Sequence, residues 1–356
     1  VSNFHSITIK DVQKETDDAS VITFDIPEEL QEAFKFRQGQ HLILRRFFNG
    51  KEERRTYSLC SSPTDKIWKV AVKQIPENVF STYVNSELKA GQTLDILPPT
   101  GDFGVPISQT PKNYVAFVAG SGITPVLSML QSHLANEPDS TFKLFYLNRQ
   151  AQTIMFKEEI EQLRNRYLGR LEVYYFLSRE HRDIELFDGR FTEEKIDALS
   201  KSLLDVPSTD EVFLCGPESM VKMIREQLQA KGLDSDKIHT ELFVSGLSEE
   251  DIARMKRLQE QKIDGVNVTI RDGGKDFHFV MTKEQDNILD AALAAGADLP
   301  FACKGGVCST CKCQLVEGKV EMKINYALEE DQVKRNYILS CQAVPLSKDV
   351  TVNFDV

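Results

Sequence analysis

Four cysteines carry the densest chemistry in the chain. Cys303, Cys308 and Cys311 stand in the run Cys303-Lys-Gly-Gly-Val-Cys308-Ser-Thr-Cys311, and Cys341 lies further on. Three thiols spaced C-x4-C-x2-C with a distant fourth is a spacing that ligates a 2Fe–2S cluster. Such a loop aims three thiolates inward while its amide N–H groups face the sulfides. Gly305 and Gly306 suit it, because glycine tolerates positive φ and lets backbone approach a ligand closely. A zinc knot or a group of free thiols is the alternative. Zinc sites present two close pairs of ligands, whereas here the fourth cysteine stands alone. Cys313 follows the third ligand and reads as a packed thiol.

Three further stretches have residue types suited to cofactor chemistry. In Arg55-Thr56-Tyr57-Ser58 alternation along a strand puts Arg55 and Tyr57 on one face. The arginine can pair with a phosphate while the ring packs on a flat heterocycle, and the Ser58 hydroxyl could reach a flavin ring nitrogen. Gly120-Ser-Gly122-Ile-Thr124-Pro125 lies between an apolar run and an amphipathic one, where helix amides would cradle a phosphate. Proline replaces the third glycine of the dinucleotide fingerprint, and no acid follows at about twenty residues to hold a ribose diol. Downstream runs end instead in Asn148-Arg149 and Ser178-Arg179, which suit a 2′-phosphate and favour NADPH over NADH, unless both arginines are merely solvated. Finally, Cys215-Gly216-Pro217 ends an apolar run; Cys215 alone could be an inert buried thiol.

The elements that must position these groups fall into three patterns. From Ser6 to Pro106 short alternating strands and turn residues imply an antiparallel β-barrel or sandwich, with Asn49-Gly50 as a two-residue hairpin. Cys60 there reads as a small apolar residue. From Asn113 to Phe243 strands alternate with helices, Thr153–Tyr167 and Pro217–Ala230 among them, implying a parallel sheet. Near the C-terminus, Asp286–Gly296 reads as a short helix closed by glycine, and Asp298-Leu-Pro-Phe-Ala leads into the cysteine loop. The expected boundaries are 1–107 for a flavin barrel, 108–246 for a nucleotide-binding α/β domain, 247–264 for a charged linker that could be partly helical, and 265–356 for the cluster domain.

Gly265–Val356 resembles plant-type ferredoxin domains, which implies an α+β β-grasp fold and the ligand set Cys303, Cys308, Cys311 and Cys341. The order R-x-Y-S, G-x-G-x-x-P, C-G-P resembles the ferredoxin–NADP reductase superfamily. That resemblance implies flavin binding by Arg55, Tyr57, Ser58, Val72, Lys73, Ser81, Thr82, Thr124 and Phe243. It implies nucleotide binding by Gly120, Gly122, Thr124, Pro125, Arg149, Ser178, Arg179, Cys215, Gly216 and Pro217. It also sets Cys215 beside the nicotinamide and Glu241 near the flavin, so that Ser58, Cys215 and Glu241 form the catalytic group. The family's second flavin segment, glycine then serine at a helix start, reads here Asn78-Val-Phe-Ser81-Thr82. Asparagine tolerates the left-handed conformation, so the anion-binding turn could survive, and helix amides suited to a pyrophosphate favour FAD over FMN.

The 356 residues carry a net charge of −11, which argues against nucleic-acid and anionic-membrane partners. Seven cysteines, four of them committed, do not form a secreted disulfide framework, and no signal or membrane-spanning run is evident, so a cytoplasmic protein is expected. The six histidines are scattered and no Glu-x-x-His pair is present to build a diiron site. In its order, flavin barrel first and ferredoxin last, the whole chain resembles the reductase components that serve phenylacetyl-CoA epoxidase. That resemblance implies electrons passing from NADPH to FAD to the cluster to a separate diiron oxygenase. A reductase of another Rieske or diiron aromatic-ring oxygenase, or a stand-alone redox carrier, is the alternative.

Overall fold

The structure is a computed structural model that describes residues 4–243, 249–328 and 330–355. Its first strands, β1 (His5–Thr16) and β2 (Ala19–Asp25), turn Ile7, Ile9, Ile22 and Phe24 into an apolar interior. β3 (His41–Phe48) and β4 (Lys51–Ser58) form a tight hairpin whose loop residues Asn49 and Gly50 both have positive φ, 50° and 78°. That is the I′ geometry which asparagine–glycine favours, and it sets His41 opposite Ser58. β5 (Trp68–Lys73), helix α1 (Val79–Ser86) and β6 (Thr93–Ile96) complete a sheet ordered β4-β3-β6-β1-β2-β5. A bridge between Leu59 and Val70 joins its outer strands and closes the barrel. Cys60 is buried, as expected of a small apolar residue.

The chain then alternates strand and helix: β7 (Asn113–Ala119), α2 (Ile123–Asn136), β8 (Thr141–Asn148), α3 (Lys157–Arg166), β9 (Leu171–Leu177), α4 (Glu193–Ser202), β10 (Glu211–Gly216), α5 (Glu218–Ala230) and β11 (Ile238–Leu242). All five strands are parallel, in the order β11-β10-β7-β8-β9, with an apolar core on each face. The order reverses between β7 and β10, and ligands of such sheets bind outside the carboxyl ends of strands at that switch. The helix expected from Thr153 starts only at Lys157, after Phe156 at φ 57°. Barrel and sheet form one compact unit, Phe4–Phe243, joined through Ser128 Oγ donating to the Ser61 carbonyl at 2.6 Å and the Phe103 ring standing edge-on to Phe213.

The second unit lies beyond Phe243. Within the stretch expected as linker, Glu249–Gln261 forms helix α6. There follow β12 (Val266–Asp272), β13 (Lys275–Met281), α7 (Ile288–Ala294), β14 (Lys312–Glu317), β15 (Val320–Met322), α8 (Glu330–Lys334), β16 (Tyr337–Leu339), β17 (Ala343–Pro345) and β18 (Asp349–Asn353). A mixed sheet ordered β13-β12-β18-β14-β16 is covered by α7 over its own core, with β15 and β17 paired beside it. α7 starts two residues later than the expected Asp286 because Asn287 caps it, its side chain accepting from the Asp290 amide at 2.8 Å. Gly296 ends it at φ 97°. Among the described residues no helix is long and apolar enough to cross a membrane.

Candidate active site and cluster loop

Ser58 ends β4, and burial of its hydroxyl leaves one direction for it: Oγ donates to Glu241 Oε2 at 3.1 Å. Glu241 lies on β11, paired with Cys215 at the end of β10. Burial pushes the Glu241 carboxyl up to about 7, with the Ser58 hydrogen bond pulling partly back. Burial, then the Glu241 charge, holds the Cys215 thiol well above its ordinary value, so it remains protonated. The three residues read as catalytic therefore meet where a barrel strand faces the sheet edge. Phe243 adjoins them, half-buried, its N–H donating to the Gly216 carbonyl at 3.0 Å.

One neighbour has no signal in the motifs. His41, opposite Ser58, is buried with neither ring nitrogen hydrogen-bonded, and Nδ1 lies 3.9 Å from Glu241 Oε1. Burial pulls its pKa down to about 4 against the charge of Asp102. It is therefore neutral near pH 7, and the approach to Glu241 is no ion pair.

The flavin motif is only partly convergent. The Arg55 guanidinium is paired with Glu53 at 2.9 Å, so a phosphate must share or replace that carboxylate. Tyr57 is half-buried, its ring tilted against Phe80 at 6.1 Å, and burial raises its hydroxyl pKa. Val72 is buried in the barrel core and offers only backbone. Lys73 pairs with Asp18 at 3.3 Å. At the start of α1 the expected left-handed asparagine is not found. Asn78 is extended (φ −92°) and caps the helix by accepting from the Ser81 amide at 2.9 Å, while Glu77 takes the positive φ of 62°. Capping explains the difference: the Asn78 side chain supplies the acceptor that the first turn lacks. The Ser81 hydroxyl is likewise engaged, accepting from the Ile75 amide at 3.1 Å. Thr82 lines an open cavity of about 500 Å³ with Arg46, Phe48, Asn78 and Tyr83.

At the switch point the glycine turn is fixed by close approach. A Cβ on Gly122 would fall 2.4 Å from the Cys215 carbonyl oxygen, so only glycine lets β10 end there. Gly120 has φ 53° and its carbonyl accepts from the Tyr146 hydroxyl at 3.0 Å. Thr124 Oγ1 is turned back to the Ser121 carbonyl at 3.0 Å, and Pro125 is buried in the first turn of α2. Pro217 precedes α5 as its N-cap. Arg149 and Arg179, both exposed, are drawn together by the Arg179 amide donating to the Arg149 carbonyl at 2.8 Å, with half-buried Ser178 beside them. Glu180, also unread from sequence, accepts the Ala151 amide at 3.1 Å on the same edge.

In the second unit the loop bends as its ligand spacing requires: Lys304, Gly306 and Ser309 have φ of 49°, 76° and 50°. Among the described residues no three His, Cys, Asp or Glu side chains converge as a single ion would need. The thiols fall into neighbouring pairs instead, Cys303 beside Cys308 and Cys311 beside Cys341. Two ligands on each of two irons is the demand of a four-cysteine 2Fe–2S cluster, so the donor set fits. The Gly305 amide donates to Cys303 Sγ at 3.3 Å and Gln342 Nε2 to Cys341 Sγ at 3.4 Å. Cys303 and Cys308 are half-buried with Lys304 and Ser309 exposed between and beside them, whereas Cys311 and Cys341 are buried. Cys313 is buried in β14, the packed thiol expected.

Comparison with known proteins agrees with this geometry. Residues 6–104 match the oxidoreductase FAD-binding domain family, 117–226 the oxidoreductase NAD-binding domain family, and 270–346 the 2Fe-2S iron-sulfur cluster binding domain family. The chain is 44% identical over 356 residues to one of the subunits of the 1,2-phenylacetyl-CoA epoxidase of Escherichia coli, covering 100% of this chain and 99% of that one. It is 33% identical to the ferredoxin reductase component of 3-ketosteroid-9-alpha-monooxygenase of Rhodococcus rhodochrous, with 98% and 96% covered. The structure of phthalate dioxygenase reductase shares the fold, with a TM-score of 0.63 at 21% identity over 99% of this chain and 98% of that one.

Barrel, parallel sheet and cluster domain in one chain define an electron-transfer reductase of an oxygenase, which uses a pyridine nucleotide, FAD and a 2Fe–2S cluster. The chain belongs to the family of that 1,2-phenylacetyl-CoA epoxidase subunit.

Proposed function

We propose that this reductase takes electrons from NADPH and delivers them to the diiron oxygenase of a phenylacetyl-CoA epoxidase. The observation that carries the acceptor is the identity of 44% along the full length of a subunit of that enzyme. When bound, the flavin supplies the conversion of a two-electron hydride into single electrons that a cluster can take.

This reading gives each side chain a role that the site's geometry supports. Ser58 and Glu241 hold a hydrogen-bonded pair at the junction of barrel and sheet, with the protonated Cys215 thiol behind it. Ser58 orients the nicotinamide against the flavin, and Glu241, poised to titrate at about 7, holds or releases a proton on the Ser58 hydroxyl's partner side. Arg55 neutralises the flavin phosphate, and Tyr57 supports the ring system. Gly120, Gly122 and the first turn of α2 receive the nucleotide pyrophosphate, while Arg149, Ser178 and Arg179 receive the 2′-phosphate. Cys303, Cys308, Cys311 and Cys341 ligate the cluster, and electrons leave through the exposed rim at Lys304 and Ser309.

Reconstitution tests this reading. The reductase, NADPH, oxygen, phenylacetyl-CoA and the diiron oxygenase should give epoxide, and omitting the reductase should stop turnover. Efficient transfer to a Rieske dioxygenase, with none to the diiron enzyme, would assign the chain to another oxygenase system.

A further inference from the structure

Helix α6 opens the second unit with a buried carboxylate. Along the helix, Asp251 and Leu258 are buried and Arg254 and Met255 half-buried, which is one face at i, i+3, i+4 and i+7 spacing. An ordinary amphipathic helix would put apolar residues at all four places. Burying a carboxylate is costly unless it is hydrogen-bonded, and here the Tyr326 hydroxyl donates to Asp251 Oδ2 at 2.6 Å. The helix runs alongside the segment Glu321–Tyr326, with Arg254 on the buried face and the exposed Arg257 at its margin. Arg254 Nη1 reaches the Lys323 carbonyl at 3.5 Å, and Arg257 pairs with Glu321.

That segment backs the cysteine loop. The Tyr326 amide donates to the Gly306 carbonyl at 3.0 Å, and Ile324 Cγ2 lies 3.3 Å from where a Gly306 Cβ would sit. The Lys323 amide donates to the Gln342 carbonyl at 2.9 Å. Gln342 in turn donates from Nε2 to the Lys304 carbonyl at 2.8 Å and to Cys341 Sγ. The segment therefore touches the loop at Gly306 and, through Gln342, the loop at Lys304 and the fourth thiol.

We infer that Asp251 and Tyr326 are positioning residues for the iron–sulfur loop. Their buried hydrogen bond fastens α6 to the segment on which the Gly306 turn rests, so the helix read from sequence as linker is part of the cluster's mounting. The inference rests on the cluster reading of the four cysteines, and on neither the nucleotide nor the acceptor.

The test uses the full-length, cofactor-loaded protein and its Tyr326→Phe and Asp251→Asn variants. The readouts are iron transfer to a chelator, the visible circular dichroism and electron paramagnetic resonance of the cluster, and NADPH–ferricyanide reduction at the flavin. A hydrogen bond to a charged group sets the scale, so each variant should speed chelator-driven cluster loss by about ten- to a hundredfold. Each should also shift the cluster spectra and leave the ferricyanide rate unchanged; because Asp251 also faces Arg254 at 3.6 Å, the double variant should go no further than Asp251→Asn alone. Tyr326→Phe removes one oxygen only, which keeps the test intact if Asp251→Asn does not fold. Arg257→Ala, which breaks an exposed pair of small worth, should change cluster loss by less than about threefold. Unchanged spectra and release in both variants overturn the proposal. So does Arg257→Ala matching them, since general helix packing would then be responsible. A four-cysteine protein that takes up no iron at all would instead refute the cluster reading beneath it.

Discussion

Replacing Glu241 with glutamine should stabilise the first unit, and the gain should depend on pH in a defined way. The Glu241 carboxyl ionises at 4.5 in its ordinary state and at about 7 in the fold, chiefly because burial disfavours its charge. Below pH 4.5 the group is protonated folded or unfolded, and it costs nothing. Between 4.5 and 7 the folded chain retains a proton that the unfolded chain has released, so stability falls as pH rises. Above 7 the penalty is complete. The displacement corresponds to about 3 kcal/mol, trimmed toward about 2 kcal/mol by solvent screening because the side chain keeps 17% exposure. Glutamine retains a partner for Ser58 and does not titrate. Urea unfolding can be followed by Trp68, the chain's one tryptophan, buried in the barrel and hydrogen-bonded to the Phe34 carbonyl at 2.7 Å. The stability difference, variant minus wild type, should rise by about 2–3 kcal/mol between pH 4.5 and 8 and then level. A difference that stays flat across that range would refute burial as the source of the displaced ionisation.

Cys308→Ser should abolish transfer to a one-electron acceptor such as cytochrome c, while NADPH still reduces ferricyanide through the flavin. Loss of both activities in a folded, flavin-loaded protein would mean that the path is not linear. Ser178→Ala with Arg179→Ala should weaken NADPH by about ten- to a hundredfold, the scale of a charge-assisted phosphate contact, and should weaken NADH far less; equilibrium titration with both nucleotides decides. Ser58→Ala should slow flavin reduction in stopped flow with flavin content intact, whereas Arg55→Ala should release flavin, leaving Glu53 without its 2.9 Å partner. Indistinguishable phenotypes would make the strand purely structural.

The cysteine loop is legible in sequence because ligand spacing is a property of the covalent chain; Gly306 takes a left-handed bend as expected, but Gly305 does not, and the other two bends fall on Lys304 and Ser309. The hairpin is legible for a similar reason: Asn49-Gly50 forces an I′ turn, and with it the register of Ser58 against His41. His41 itself stays unread, because a lone histidine heading a strand carries no spacing signal and becomes informative only when burial strips it of partners. The cap of α1 misleads because asparagine serves equally as a left-handed residue and as an N-cap; which role it takes depends on the Ser81 amide needing an acceptor. The contact between Asp251 and Tyr326 joins residues 75 positions apart. Nothing local marks a buried carboxylate in a stretch that otherwise reads as a charged linker.

The preference for NADPH over NADH, as proposed, turns on two strand ends that the sheet order makes neighbours. β8 and β9 are adjacent and parallel, so the turns after them open on the same edge. That edge holds two exposed arginines and the Glu180 carboxylate, whose Oε1 accepts the Ala151 amide. A carboxylate at a strand end suits a ribose diol, and an arginine suits a 2′-phosphate, so both kinds of recognition element are present. Their engagement differs. Glu180 has one oxygen committed to the main chain, whereas both guanidinium groups stand toward solvent, where a phosphate can reach them without prior desolvation of a buried charge. Two cations against one partly committed anion favour a ligand with added negative charge. With Arg179 removed the charges balance, and the extra phosphate would gain little over a plain ribose. The margin between the nucleotides should therefore be that of a single charged contact, and it should shrink as salt rises, because exposed charges are screened over about 8–10 Å at physiological ionic strength.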